Sequence, residues 1–318
     1  MKKFLVHIYI SLKAIRENFR IHKAFDLKGS CLEARIIRYL HGIEKGLSLE
    51  NPRTCFGTKK IESLFGFIEE YKSLNCKNNL CLLMCRDAIK EYLDFHADLK
   101  IENEQIKWIR QKWQELDSYL PSVSEKFGGI SKISKDQMQF NVTEIERLFN
   151  TRHSIREFSG EKIAEEDIKK AIRLAQTCPS ACNRQCTRVY SVTSEKYIND
   201  MKTNLEGIGG FANDVDRFLL ICAKKTAYEL DEIHQYVVSA SIFAGYLTLA
   251  LHTYGMAACM VQRTLLSNPL WENFQKINNI PEDEQIIAMI AVGKYKEVTK
   301  VPISKRFPVE DIYKNLSK

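Results

Sequence analysis

The apolar run Val237–Leu251, interrupted by Ser239, Ser241 and Thr248, limits what this chain can fold into more than any other stretch. A bilayer-crossing helix needs about 20 apolar residues, so this shorter run reads as a helix buried inside a protein core. The chain can build such a core: it has 318 residues, 45% hydrophobic and 27% charged. That is the composition of a folded globular protein, long enough for two domains.

Charge is unevenly placed. The formal net charge is +7, yet Lys2, Lys3, Lys13, Arg16, Arg20, Lys23 and Lys28 stand against only Glu17 and Asp26 in the first thirty residues. The remainder is close to neutral, which argues against a general nucleic-acid-binding surface. In residues 1–23, Leu5, Ile8, Leu12, Ile15 and Phe19 recur at helical spacing with cations between them, an amphipathic helix. The expectation is that this helix docks on the protein's own body; the alternative is peripheral attachment to an anionic membrane surface. The apolar run Phe4–Ile10 is short, contains His7 and lacks a small-residue cleavage site, so it does not read as a signal peptide. Ten cysteines in a chain of this length then point to free thiols in a reducing, cytoplasmic protein.

Between residues 60 and 116, Leu64, Ile68 and Tyr71, then Leu83, Ala88, Tyr92 and Phe95, then Ile106, Ile109 and Trp113 mark helices that pack on one another. Cys76, Cys81 and Cys85 lie among them as small core residues, since no C-x-x-C pair occurs anywhere. Tyr39–Arg53 is dense in glycine and charge, and His41, Glu44, Lys45 and Arg53 are candidates for lining a pocket on irregular chain. Residues 121–137 mix Pro, Gly, Ser and Lys without periodicity and read as a linker. A helical N-terminal domain at 1–130 and a second domain at 138–318 follow.

The second domain carries the chemistry. Asn141-Val142-Thr143-Glu144 reads as a capping box opening a short helix, and Arg152-His153-Ser154-Ile155-Arg156 follows where that helix ends. Two guanidinium forks and a hydroxyl within five residues suit a phosphate. Ile168, Ile172 and Ala175 mark another helix, after which come Cys178-Pro179-Ser180-Ala181-Cys182-Asn183-Arg184-Gln185 and a strand-like run, 188–193. Cys178, Cys182 and Cys186 lack the fourth cysteine of an iron–sulfur set. No P-loop, zincin or nucleophile-elbow motif is present, and Gly207-Ile208-Gly209-Gly210 lacks the spacing of a dinucleotide fingerprint.

Arg152-x-Ser154-x-Arg156 followed by Pro179-Ser180-x-x-Asn183-x-Gln185 resembles the FMN-dependent nitroreductase family, and the likeness continues through Leu247–Gly255, Ile290–Gly293 and Val301–Arg306. It implies an α+β fold: a nitroreductase-like antiparallel sheet built from runs such as 188–193, 218–223 and 286–293, flanked by helices and preceded by an all-α domain. It implies an oxidoreductase that uses FMN and NAD(P)H to deliver hydride to a small electron-poor molecule. Arg152 and Ser154 would then sit at the phosphate and ribityl end, with His153 between them also contacting the cofactor, Arg156 near the pyrimidine edge, and Arg306 would complete the phosphate site. Pro179, Ser180, Asn183 and Gln185 would reach the flavin from the partner subunit of a homodimer. Gly255-Met256-Ala257-Ala258-Cys259 would be the turn facing flavin N5, with Ala257 in place of a second glycine. The segment Val237–Ser241 departs from the family pattern, so substrate choice would differ. The Tyr39–Gly57 stretch resembles nitroreductase-like proteins with helical extensions, often linked with polysaccharide biosynthesis. The alternative function is a turnover-free binding protein of the same fold at a membrane-proximal assembly, supported by Ala257 and the basic N-terminus.

Overall fold

The computed structural model describes residues 2–25, 29–76, 78–204, 213–261 and 269–316; the Gly207–Gly210 cluster lies outside them. In chain order the helices are α1 (Lys2–Phe25), α2 (Gly29–Leu47), α3 (Thr58–Ser73), α4 (Leu80–Asp98), α5 (Glu104–Tyr119), α6 (Val142–Thr151), α7 (Glu165–Ala175), α8 (Glu195–Asn204), α9 (Gln235–Thr253), α10 (Pro269–Ile277) and α11 (Val309–Ile312). The strands are β1 (Thr187–Val192), β2 (Arg217–Lys224), β3 (Met256–Val261) and β4 (Glu284–Lys294).

Helices α2–α5 bury the residues that the helical spacing singles out, Leu64, Ile68, Tyr71, Ala88, Tyr92, Ile106 and Ile109 among them. Cys81 and Cys85 are fully buried there, and burial pushes the Cys81 thiol up to about 12. The Tyr39–Arg53 stretch is irregular only in its second part: α2 runs through Leu47 and carries His41, Glu44 and Lys45, while residues 48–53, with Arg53, form turn, bends and irregular chain. A Cβ at Gly46 would lie 2.1 Å from the Phe56 ring, so this glycine serves close packing, not a binding loop. Glu44 turns inward to accept the Gly129 N–H at 3.0 Å, and burial raises its carboxyl above the usual range. Phe127 N–H donates to Asp87 at 2.6 Å and Ile130 N–H to Glu91 at 2.9 Å, so the first part of the expected linker is fastened to the bundle. Residues 131–141 are exposed throughout.

The second half is a four-stranded antiparallel sheet in the order β1-β2-β4-β3. Strand β2 reads Phe218-Leu219-Leu220-Ile221-Cys222-Ala223, apolar on both faces, as a central strand covered on both sides must be. Leu219, Ile221 and Ala223 face α7 and α9; Phe218, Leu220 and Cys222 face Ile155, Phe158, α8 and the Ile280 side. Buried Arg217 at the head of β2 ties to Asp216 at 2.7 Å and to Glu165 in the first turn of α7 at 2.5 Å. Helix α9 has the length and composition of a membrane span, but Ala240, Phe243, Ala244, Leu247 and Leu251 pack it onto the sheet. Each such large side chain contributes roughly 1.5–3 kcal/mol by leaving water. Its other face, Val238, Ile242 and Tyr246, is exposed. The N-terminal helices reach this half too, since Ala34 of α2 joins the α9 core and His22 of α1 meets the Tyr228 carbonyl at 3.1 Å.

Gly293 of β4 has the Phe158 ring against it, with a Cβ there placed 2.6 Å from Cδ1. Gly293→Ala is expected to destabilise the protein by about 1–3 kcal/mol in urea unfolding. Adding Phe158→Leu should cost less in that background than in the wild type, because the two changes share one space.

Candidate functional site

Helix α6 is capped as its sequence suggests: the Asn141 side chain accepts the Glu144 N–H at 3.3 Å. The reciprocal half of the box does not form, because Glu144 pairs with Arg147 at 3.1 Å. The helix ends at Thr151 and the chain turns extended at Arg152. It then runs beside the sheet, with Ile155 N–H donating to Ala258 O at 2.9 Å and Ser159 N–H to Lys294 O at 3.1 Å. Ile155 and Phe158 are buried, which fixes the phase of the segment and leaves Arg152, Ser154 and Arg156 on the accessible side.

Facing them is the tail segment Pro302–Arg306, and between the two lies a cavity of about 410 Å³. Arg152, Arg156, Lys305 and Arg306 line it together with His153 and Ser154, and no carboxylate does. Four cations and the hydroxyls of Ser154 and Ser304, with no acidic neighbour in the lining, form a donor set fitted to a phosphate group.

The second motif is built differently. Cys182, Asn183 and Gln185 have φ of 52°, 54° and 48°, three left-handed non-glycine residues within four positions. Such backbone persists only where its surroundings over-determine it. Arg184 supplies much of that constraint: it is buried, bonds Glu232 at 2.5 and 2.7 Å and the Ala227 carbonyl at 3.0 Å, and stacks 4.2 Å over the Tyr228 ring. The same contact holds the Glu232 carboxyl down to about 2. Gln185 N–H donates to Ser180 Oγ at 3.1 Å, closing the turn. Arg184 stands between two motif residues but carries no signal of its own, and its partner is 48 residues away.

The nitroreductase family model matches residues 150–207 and 206–294. These residues belong to the nitroreductase family. Iodotyrosine deiodinase of Hydra vulgaris is 26% identical over 57% of this chain and 76% of its own length. Among solved structures, a nitroreductase with bound FMN from Desulfitobacterium hafniense is 22% identical, covers 56% of this chain and 100% of its own, and has a TM-score of 0.45. A nitroreductase family protein from Clostridium difficile is 19% identical over 54% of this chain and 97% of its own, with a TM-score of 0.44.

Arg152, His153, Ser154, Arg156 and Arg306 come together in one cavity. Ser180 and Gln185 line a separate cavity of about 440 Å³ beside α2, and Pro179 and Asn183 are exposed. Ala257 and Ala258 are not on a turn. They lie in β3, paired with Gly293 and Val292 and buried on opposite sheet faces, because small side chains let the strand sit tightly between α9 and Phe158. The turn is at Gly255, φ 68°, where α9 ends.

Beside Arg152 the structure adds a chain of three residues, from the end of α6, from α9 and from just past β4. Thr151 Oγ1 donates to the Arg147 carbonyl at 2.8 Å, so it accepts from His252 Nε2 at 2.8 Å, and His252 Nδ1 accepts from the Tyr295 hydroxyl at 2.8 Å. This arrangement uses neutral imidazole. Burial, then the charge of Arg152 and His153, holds His252 below its ordinary 6.5. The unfolded chain therefore binds this proton more readily, and the associated stability, present above pH 6.5, is lost as pH falls below it. His252→Gln should flatten that part of the stability–pH curve in chemical unfolding measured between pH 5 and 7.5; an unchanged slope would show that His252 titrates normally.

Proposed function

We propose that this nitroreductase-family oxidoreductase binds FMN, takes hydride from NADH or NADPH and passes it to a small electron-poor organic molecule. The cavity lined by four cations and no carboxylate carries this reading. Arg152 and Arg306 hold the phosphate there, with Ser154 filling a further acceptor. When bound, the flavin supplies the hydride chemistry, and the protein supplies binding, orientation and electrostatics, so no separate acid–base pair is required. The turnover-free alternative loses its support from Ala257, whose place in a buried strand is a matter of packing.

The working form is proposed to be a homodimer in which Pro179, Ser180, Asn183 and Gln185 complete the partner's site. Three observations support it. The two motifs line different cavities of one chain. Val238, Ile242 and Tyr246 leave an apolar face of α9 uncovered. The tail exposes Val298, Ile303 and Phe307 at 81–87%, far beyond what a lone chain gains from apolar residues.

Purified protein should be yellow and should bleach when NADH or NADPH is added anaerobically. Arg152→Ala should weaken FMN binding roughly ten- to a hundredfold in a fluorescence titration, the equivalent of a charge-assisted bond worth ~1.5–3 kcal/mol. In light scattering the wild type should be a dimer, and Ile242→Asp with Tyr246→Asp should give a monomer that retains little flavin. A flavin-loaded monomer would rule out the shared site.

A further inference from the structure

Helix α1 does not dock by its apolar stripe. Ile8, Leu12, Ile15 and Phe19 are spaced by four, three and four residues, so they share one face, and they are 41%, 60%, 66% and 59% exposed. The helix touches the body near its C-terminal end instead, where Ile21 is 1% exposed, His22 meets the Tyr228 carbonyl and Arg20 pairs with Glu282 at 3.1 Å. Ile21 lies two residues beyond Phe19, about 200° around the helix. Phe19, at the end of the stripe, lines a cavity against the body with His22, while Ile8, Leu12 and Ile15 lie upstream of the contact and on the side away from Ile21, so docking leaves them open.

We propose that α1 is an interfacial anchor that lies along an anionic lipid surface, its stripe entering the headgroup boundary. The stripe spans about 16 Å of helix, with Tyr9 68% exposed beside it. Arg16 and Lys23 follow one border of the stripe at helical spacing, and the first thirty residues hold seven cations against two carboxylates. This charge selects the occupant. Two copies of α1 brought face to face would repel, whereas anionic headgroups complement the cations that flank the stripe. A fixed contact at Ile21 and His22 would then hold the nitroreductase domain close to the membrane.

The test uses the full chain with its cofactor complement in co-sedimentation with vesicles of equal parts phosphatidylglycerol and phosphatidylcholine. The wild type should pellet with these vesicles at low salt and partition roughly tenfold less onto phosphatidylcholine alone or at high salt. Leu12→Glu with Ile15→Glu should lose anionic-vesicle binding by about tenfold or more, with circular dichroism, flavin content and oligomeric state unchanged. Wild type remaining in the supernatant at low salt, or a double variant that binds equally well, overturns the proposal. A double variant that instead drops to a lower oligomer in light scattering also overturns it, showing that a second copy covers the stripe. None of these outcomes depends on turnover, so they leave the oxidoreductase reading to its own test.

Discussion

The site rests on how the segment after α6 is held against the sheet. Two backbone bonds, Ile155 N–H to Ala258 O and Ser159 N–H to Lys294 O, lay that segment beside β3 and the end of β4. The Phe158 ring, seated on Gly293, fixes its rotation. With Ile155 and Phe158 committed inward, Arg152, Ser154 and Arg156 have no inward choice left, and the tail bearing Arg306 meets them across one cavity. Loss of either the glycine or the ring would let the segment roll, and the cations would disperse into solvent.

The second motif depends on a different device, a strained turn held by one buried ion pair. Arg184 draws Ser180–Gln185 onto the 227–236 region, and Glu232 is charged wherever the protein is folded near neutral pH, its carboxyl being held to about 2. The strain at Cys182, Asn183 and Gln185 is therefore compensated by contacts behind the turn, leaving the Asn183 and Gln185 side chains outside. Ser239 joins the same cluster through Tyr228, so α9 supports this turn as well as the sheet.

Helix α9 thus serves two surfaces: one side forms the core with β2, β4 and α7, and the other exposes Val238, Ile242 and Tyr246. The N-terminal helices add a further layer, with α2 closing the 440 Å³ cavity beside Ser180 and α1 meeting the Tyr228 carbonyl and Glu282.

Much of this was legible in the sequence, because the deciding interactions are local. The Asn141 cap, the apolar spacing of α7, the buried runs of β2 and β4 and the nearness of Arg152, Ser154 and Arg156 all act within a few residues of chain. Strand β3 was not legible: Met256-Ala257-Ala258-Cys259 has too little side chain to favour a strand, and only pairing with β4 makes it one. Gly42 and Gly46 read in sequence as an irregular loop, yet α2 runs through both, and Phe56 packed against Gly46 accounts for the second. The amphipathic pattern of α1 determined that a stripe exists, but not what covers it, since helical spacing is blind to which side meets the body. Arg184 with Glu232, and Thr151 with His252 and Tyr295, join residues dozens of positions apart. Short-range propensity and spacing determined the elements and the cation motif; which distant side chains meet was decided only when the sheet and α9 brought them within hydrogen-bonding reach.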